Sequence, residues 1–146
     1  MIVLDTNVLS ELMKASPSRQ VMTWWNRHLP PELFVTTVTE AEILFGIELL
    51  PKGKRRTGLE SAATEMFGGD FDGRVLPFDS EAAREFARIV AMRRAGGRPI
   101  SHPDAQVAAI ARSRGAAVAT RNTGDFEDCG IRVLNPWQES RRVNDG

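Results

Sequence analysis

Cysteine occurs once in this chain, at Cys129, so no internal disulfide is available to staple the fold. Histidine is almost as scarce, at His28 and His102, and together these residues supply none of the clusters that a zinc site uses. An excess of either charge is missing too. The 19 basic and 19 acidic residues cancel, which excludes a broad positive field for gripping nucleic acid and leaves any phosphate affinity to local groups. Apolar runs are short, none approaching the ~20 residues that span a bilayer. The opening Met1-Ile2-Val3-Leu4 has no charged region followed by an apolar one, so the expected location is cytoplasmic. Internal repeats and low-complexity tracts are absent.

What is present is 146 residues, 42% of them hydrophobic, enough for one domain with a sizeable core. Short β-like runs at 2–4, 33–38, 74–76, 117–120 and 131–134 alternate with helical spacing at 7–13, 19–28, 39–50, 80–95 and 101–114. A further helix starts in the basic stretch 52–56, and Gly68, Gly69 and Gly73 read as a loop. This alternation predicts an α/β fold whose parallel strands are joined by crossover helices, with an edge strand at 131–134 and a frayed end at 141–146.

Four acids fall where a strand has just ended or a helix is just starting: Asp5, Glu42, Asp104 and Asp125. In a parallel sheet such places gather at the carboxyl edge, so residues far apart in sequence can share one pocket. Each has a plainer reading. Asp5 can be a strand-end turn acid, with Thr6 and Asn7 capping the next helix. Thr39 and Glu42 have capping-box spacing, as do Ser101 and Asp104. Asn122 and Asp125 can simply satisfy turn amides. Helical spacing puts Glu42 on a face with Phe45 and Leu49, and Glu40 on another with Ile43, Leu44 and Ile47, so either could be the inward acid.

Gathered carboxylates create an electrostatic difficulty. Two of them 4 Å apart repel by roughly 4 kcal/mol at an effective dielectric of about 20. Protonation or a cation relieves this, and hard oxygen donors favour Mg²⁺ or Mn²⁺. An ion held this way suits phosphodiester hydrolysis by an activated water, with no covalent enzyme intermediate. A competing enzyme reading uses Asp5 as an aspartyl nucleophile, as haloacid-dehalogenase phosphatases do. The second Asp it needs is replaced by Asn7, and no downstream lysine block follows.

Four blocks then stand in order: Ile2-Val3-Leu4-Asp5-Thr6-Asn7, Glu42-Ile43-Leu44-Phe45-Gly46, Asp104-Ala105-Gln106-Val107-Ala108-Ala109-Ile110-Ala111 and Thr120-Arg121-Asn122-Thr123-Gly124-Asp125-Phe126. They resemble the signature blocks of PIN-domain ribonucleases, and Leu76-Pro77-Phe78-Asp79 and Asn135-Pro136-Trp137 point within that family to the VapC toxins with their FitB-like branch. The resemblance implies a three-layer α/β/α domain with a mainly parallel sheet of about five strands. It implies Mg²⁺ or Mn²⁺ on Asp5, Glu42 (in preference to Glu40) and Asp104, with Asn122 or Asp125 completing the catalytic site. It also implies an RNA substrate, a DNA-binding antitoxin partner whose tail blocks the acidic groove, and a homodimer or larger assembly.

Around that site, Arg98 and Arg121, with Thr6 and Thr120, are the expected substrate-positioning residues. Lys52, Lys54, Arg55 and Arg56 form the densest basic run. Trp24, Trp25 and Trp137 follow apolar patterning and are expected in the core or a dimer contact.

Overall fold

The structure, a computed structural model, describes residues 1–138; the expected frayed end at 141–146 lies outside the described residues. Its centre is β1 (Ile2–Leu4), whose residues are all buried. Alternation along this strand divides the core in two. Ile2 and Leu4 point into one apolar cluster, Val3 into the other. Strand β4 (Ala117–Ala119) repeats the pattern, with Ala117 and Ala119 on the first side and Val118 on the second. Both clusters are fully covered, as expected for a sheet that reads as apolar runs.

The remaining strands are β2 (Leu33–Thr36), β3 (Val75–Leu76) and β5 (Val133–Leu134). The sheet order is β3-β2-β1-β4-β5 and every pairing is parallel. The short β5 is an edge strand, as the sequence predicts, and β3 is the other edge. On the first face lie α1 (Thr6–Leu12), α2 (Arg19–Asn26), α3 (Thr37–Glu48) and α4 (Lys54–Glu65), which contribute Leu9, Trp24, Ile43 and Ala63 to its cluster. On the second lie α5 (Ser80–Ala95) and α6 (His102–Ser113), through Ile89, Val107 and Ile110. This is the expected α/β/α sandwich. Leu9 and Ile110 are at most 1% exposed, so truncating either to Ala costs about 2–5 kcal/mol.

Three boundaries differ from the sequence reading. The run 33–38 is strand only to Thr36, because the Thr36 hydroxyl accepts the Thr39 amide at 3.1 Å and starts α3 two residues early. The glycine loop at 68–69 is a π-helical turn, Met66–Asp70, continuing directly from α4 and burying Met66 and Phe67. The expected strand 131–134 pairs only over its last two residues. Helix α6 stops as predicted, with Gly115 at a φ of 65° that L side chains rarely adopt.

In this order β1 leads to β2 on one side and β4 leads to β5 on the other, so their carboxyl ends flank a crevice at the switch of direction. Among the described residues no helix is long and apolar enough to cross a membrane.

Candidate active site

Asp5 stands at that switch point. Its amide donates to the Ala119 carbonyl at 2.9 Å, extending the β1–β4 ladder by one residue and fixing the backbone. Its side chain caps α1, accepting from the Thr6 amide at 2.8 Å. A second oxygen accepts from the Thr120 hydroxyl at 2.8 Å and from the Asn7 side-chain amide at 3.4 Å. Burial pushes the Asp5 carboxyl up to about 6 even against the Thr120 and Thr6 hydrogen bonds, and the negative charges of Asp104 and Glu42 add to the rise.

Thr120 is fully buried, and its hydroxyl is committed. It donates to Asp5 and accepts from the Asn7 side chain and the Asn122 amide, each at 3.1 Å. Its hydroxyl thus orients Asp5, and Thr120 is not among the residues that line the cleft. Thr6 donates its hydroxyl to Thr39 at 3.1 Å, tying the start of α1 to the first turn of α3.

With Thr36 as the cap, Glu42 lies in the second turn of α3 and has no capping role. The expectation that its face is packed is also corrected. The buried stripe is Thr39, Ile43 and Ile47, while Glu42 is exposed and Phe45 and Leu49 are 64% and 69% exposed. Glu42 instead edges the cleft at the switch point, an open space of about 470 Å³ shared with Asp5, Asp104 and Asn122. Glu40 does not line it.

Asp104 reaches the cleft from the first turn of α6, whose cap Ser101 accepts the Asp104 amide at 3.3 Å. Partial burial raises its carboxyl, with a smaller contribution from the nearby Asp125 charge; Ser101 and Arg93 oppose this. The two candidates for the fourth position are thus separated. Asn122 lines the cleft, whereas Asp125 is exposed on the 3-10 turn Thr123–Phe126, close enough to act on Asp104 without lining the same space.

The carboxylates edge the cleft without closing on one another. Among the described residues no three His, Cys, Asp or Glu side chains are already gathered as a metal-ligand set, so the tightly pressed cluster expected from the sequence is looser than anticipated. The physical reason is visible in Glu42, a long exposed side chain on a helix that nothing compels toward Asp5. The donors nevertheless fit a hard divalent cation. They are carboxylate oxygens, one of them desolvated and raised by its acidic neighbours, which is the electrostatic condition that a cation relieves.

Several residues were missed or misplaced by the sequence reading. Trp137, expected in the core or a dimer contact, is half-buried and also lines the cleft; it follows β5, so the topological argument used for the acids could have found it. Ser10 and Glu11 on α1, and Lys14 just after it, share the cleft as well. Glu11 is held below its usual range by Lys14 and the Ser18 amide, at 3.0 Å each. Arg121 lines the cleft as anticipated, but Arg98 does not: it pairs with Glu127 at 2.9 Å and Asp128 at 3.1 Å. In the basic run, Arg56 is occupied by Glu48 and Glu60, while Lys54 and Arg55 border a neighbouring groove of about 790 Å³. His102 packs its ring edge against Phe86 and stays outside the cleft.

Fold and cleft together define an α/β/α domain with an acidic site at the carboxyl edge of a parallel sheet. A family model described as PIN domain matches residues 2–130, and the chain belongs to the PIN-domain family. It is 42% identical over 94% of its length to the whole, within 1%, of "VapC ribonuclease Y4jK" of Sinorhizobium fredii (99% covered). It is 34% identical to "Toxin FitB" of Neisseria gonorrhoeae, covering 95% of this chain and 100% of that one. A solved structure described as "Structure of FitAB bound to IR36 DNA fragment" superposes with a TM-score of 0.91 at 34% identity, over 97% of this chain and 99% of that chain.

Proposed function

We propose that this chain is an endoribonuclease toxin of a type II toxin–antitoxin pair, cutting RNA phosphodiester bonds with Mg²⁺ or Mn²⁺ to leave a 5′ phosphate and a 3′ hydroxyl. The observation that carries the reading is the cleft at the β1–β4 switch point, where Asp5, Glu42 and Asp104 share one space and Asp5 is raised to about 6 by burial and by the other two. Asp5, Glu42 and Asp104 would hold the ion, with Asn122 beside them. Bound there, such an ion supplies phosphoryl polarisation and activation of water. The chain's own part is positional: Thr120 and the Thr6 amide aim the Asp5 carboxylate, and Ser101 starts the helix that presents Asp104. A carboxylate beside the ion would orient the attacking water or take its proton.

The relatives support the partner side of the reading. One is named a ribonuclease, one a toxin, and one is solved as a FitAB pair on DNA. A cognate antitoxin that carries the DNA contacts accounts for a toxin with no net charge. A homodimer is supported by Phe45 on α3 and Leu49 at its carboxyl cap, large apolar side chains one turn apart and exposed.

The test is cleavage of RNA by the purified chain in Mg²⁺ or Mn²⁺, with its loss in Asp5→Asn and Asp104→Asn under unchanged circular dichroism. Equal cleavage by both variants ends the assignment. The DNA-bound pair among the relatives favours one second reading, a non-catalytic partner in transcriptional regulation. Under it, millimolar Mn²⁺ leaves the melting temperature unchanged.

A further inference from the structure

Along with the carboxylates, the cleft is lined by a cation and an aromatic ring, Arg121 and Trp137. The Arg121 guanidinium lies over the Trp137 indole at 4.9 Å from the ring centroid. Both partners are anchored. The Arg121 amide donates to the Asn7 side-chain oxygen at 3.1 Å, and Asn7 also bonds Thr120, so the residue is tied to the network that aims Asp5. The Trp137 amide donates to the Asn135 side chain at 2.9 Å, the preceding Pro136 is buried, and the indole packs against the first core cluster.

The pairing fixes the guanidinium without neutralising it. Stacking on the indole uses the face of the cation and leaves its in-plane N–H donors available. Among the described residues Arg121 forms no ion pair, unlike Arg98 and Arg56, whose charges are taken by acids. A restrained fork of donors with no contact ion pair, its charge felt by Glu11 only at longer range, suits one ligand chemistry best, a phosphate diester of a strand whose neighbouring diester lies at the acids.

We propose that Arg121 is an RNA phosphate-binding residue of this cleft, holding the backbone of the strand next to the point of cleavage, with Trp137 as the positioning residue that sets the guanidinium in place. This deepens the nuclease reading and rests on it for the identity of the strand. An acidic peptide is the other anion that such a cation could meet. Glu11, Glu42, Asp5 and Asp104 repel either anion until a divalent cation offsets them, but only a polyphosphate strand offers a second diester for such a cation at the acids while the first meets the guanidinium.

The experiment is a fluorescence-anisotropy titration of the full chain with a fluorescein-labelled single-stranded RNA 20-mer in Ca²⁺, repeated from 50 to 300 mM KCl. Arg121→Ala weakens binding about tenfold near 100 mM salt and lowers the log–log salt slope by about 0.7, the loss of one phosphate contact. Trp137→Phe keeps a ring and most of the affinity; Trp137→Ala reproduces most of the Arg121→Ala loss. Arg121→Lys restores the slope but only part of the affinity, because the stacked fork is gone. Arg132→Ala, at the opposite end of the sheet, removes the same charge and leaves binding unchanged.

An Arg121→Ala affinity and slope equal to those of Arg132→Ala overturn the proposal. So does binding of a hexaglutamate peptide that depends on Arg121 when RNA binding does not. The nuclease reading fails separately: RNA held in an Arg121-dependent way but never cut in Mg²⁺ or Mn²⁺ keeps the phosphate site and removes the catalysis. A nuclease indifferent to Arg121 does the reverse.

Discussion

The Thr120 hydroxyl donates to the Asp5 carboxylate at 2.8 Å across the β1–β4 seam, joining residues 115 positions apart. It is one of the two hydrogen bonds that most oppose the rise of the Asp5 carboxyl. Thr120→Val keeps the shape and removes the donor, so it raises Asp5 further and leaves the Asn7 side chain and the Asn122 amide without their acceptor. Mn²⁺ affinity by calorimetry falls roughly 10–100-fold, the usual cost of losing a group that orients a ligand. Unfolding in urea shows a loss of about 1–3 kcal/mol. Thr120→Ser stays near wild type; a Val variant with unchanged Mn²⁺ affinity removes the orienting role.

Asp5 itself makes stability depend on pH. Its folded carboxyl lies near 6, above the ordinary 3.8, so the folded state binds the proton more readily than the unfolded chain. Stability from this group is therefore fully present below about pH 4 and lost as the pH rises through 6. Two units correspond to at most about 3 kcal/mol. In EDTA at pH 7, Asp5→Asn is expected to be more stable than wild type by about 1–2 kcal/mol, since the amide carries no charge to bury. The advantage vanishes at pH 4. Added Mn²⁺ raises the melting temperature of the wild type and not of the variant. A variant less stable than wild type at pH 7 in EDTA contradicts the burial argument.

Arg93 shows a structural role that no sequence pattern announced. It is 6% exposed, and its guanidinium donates to the carbonyls of Arg98, Asp125 and Glu127 at 2.7, 3.0 and 2.9 Å. It thereby pins the turn carrying Asp125 to the end of α5. Arg93→Met strands these carbonyls and is expected to cost about 2–4 kcal/mol in urea unfolding. Amide exchange at Phe126 and Glu127 accelerates ahead of that in β1. Uniform exchange changes across the chain are the outcome that this account forbids.

Much of the fold was readable because its signals are local. Apolar runs gave all five strands, and Gly115 and the Ser101 cap bounded α6. The acidic pocket was readable through topology, since strand ends in a parallel sheet share an edge whatever their sequence separation. What escaped reading was decided by contact. Thr36, Thr37, Val38 and Thr39 are β-branched or hydroxylated in a way that suits strand and cap alike, and only the Thr36 to Thr39 hydrogen bond settles where α3 begins. That shift of register removed the capping role of Glu42. The open face of Phe45 and Leu49 was invisible for a related reason, because helical spacing tells which residues share a face and not what covers it.

That open face yields a prediction of its own. Phe45 and Leu49 are 64% and 69% exposed, so a charge there costs the isolated fold little but opposes burial against a second copy. Phe45→Glu is expected to sediment at the 16.2 kDa of one chain, while wild type sediments as a dimer. Melting temperature at low concentration changes by no more than a few degrees. A variant that still sediments with the wild type places the dimer contact elsewhere.

The fourth position of the site turns on Asn122 and Asp125. Asn122 lines the cleft and its amide donates to Thr120, so the residue is held at the seam from which Asp5 projects. Asp125 acts only through its charge on Asp104. A neutral amide oxygen is a weaker ligand for a hard cation than a carboxylate, and Asn122→Asp is expected to tighten Mn²⁺ about tenfold, as an added anion beside the ion should. Without metal the same variant pushes Asp5 still higher, because another negative charge enters the cleft. Asp125→Asn removes one repulsive charge from Asp104 and changes Mn²⁺ affinity by less than about threefold. Calorimetric titration of the three proteins separates the cases: loss of binding in Asp125→Asn, with Asn122→Asp unchanged, makes Asp125 the fourth ligand and requires its turn to fold over the cleft when the ion binds.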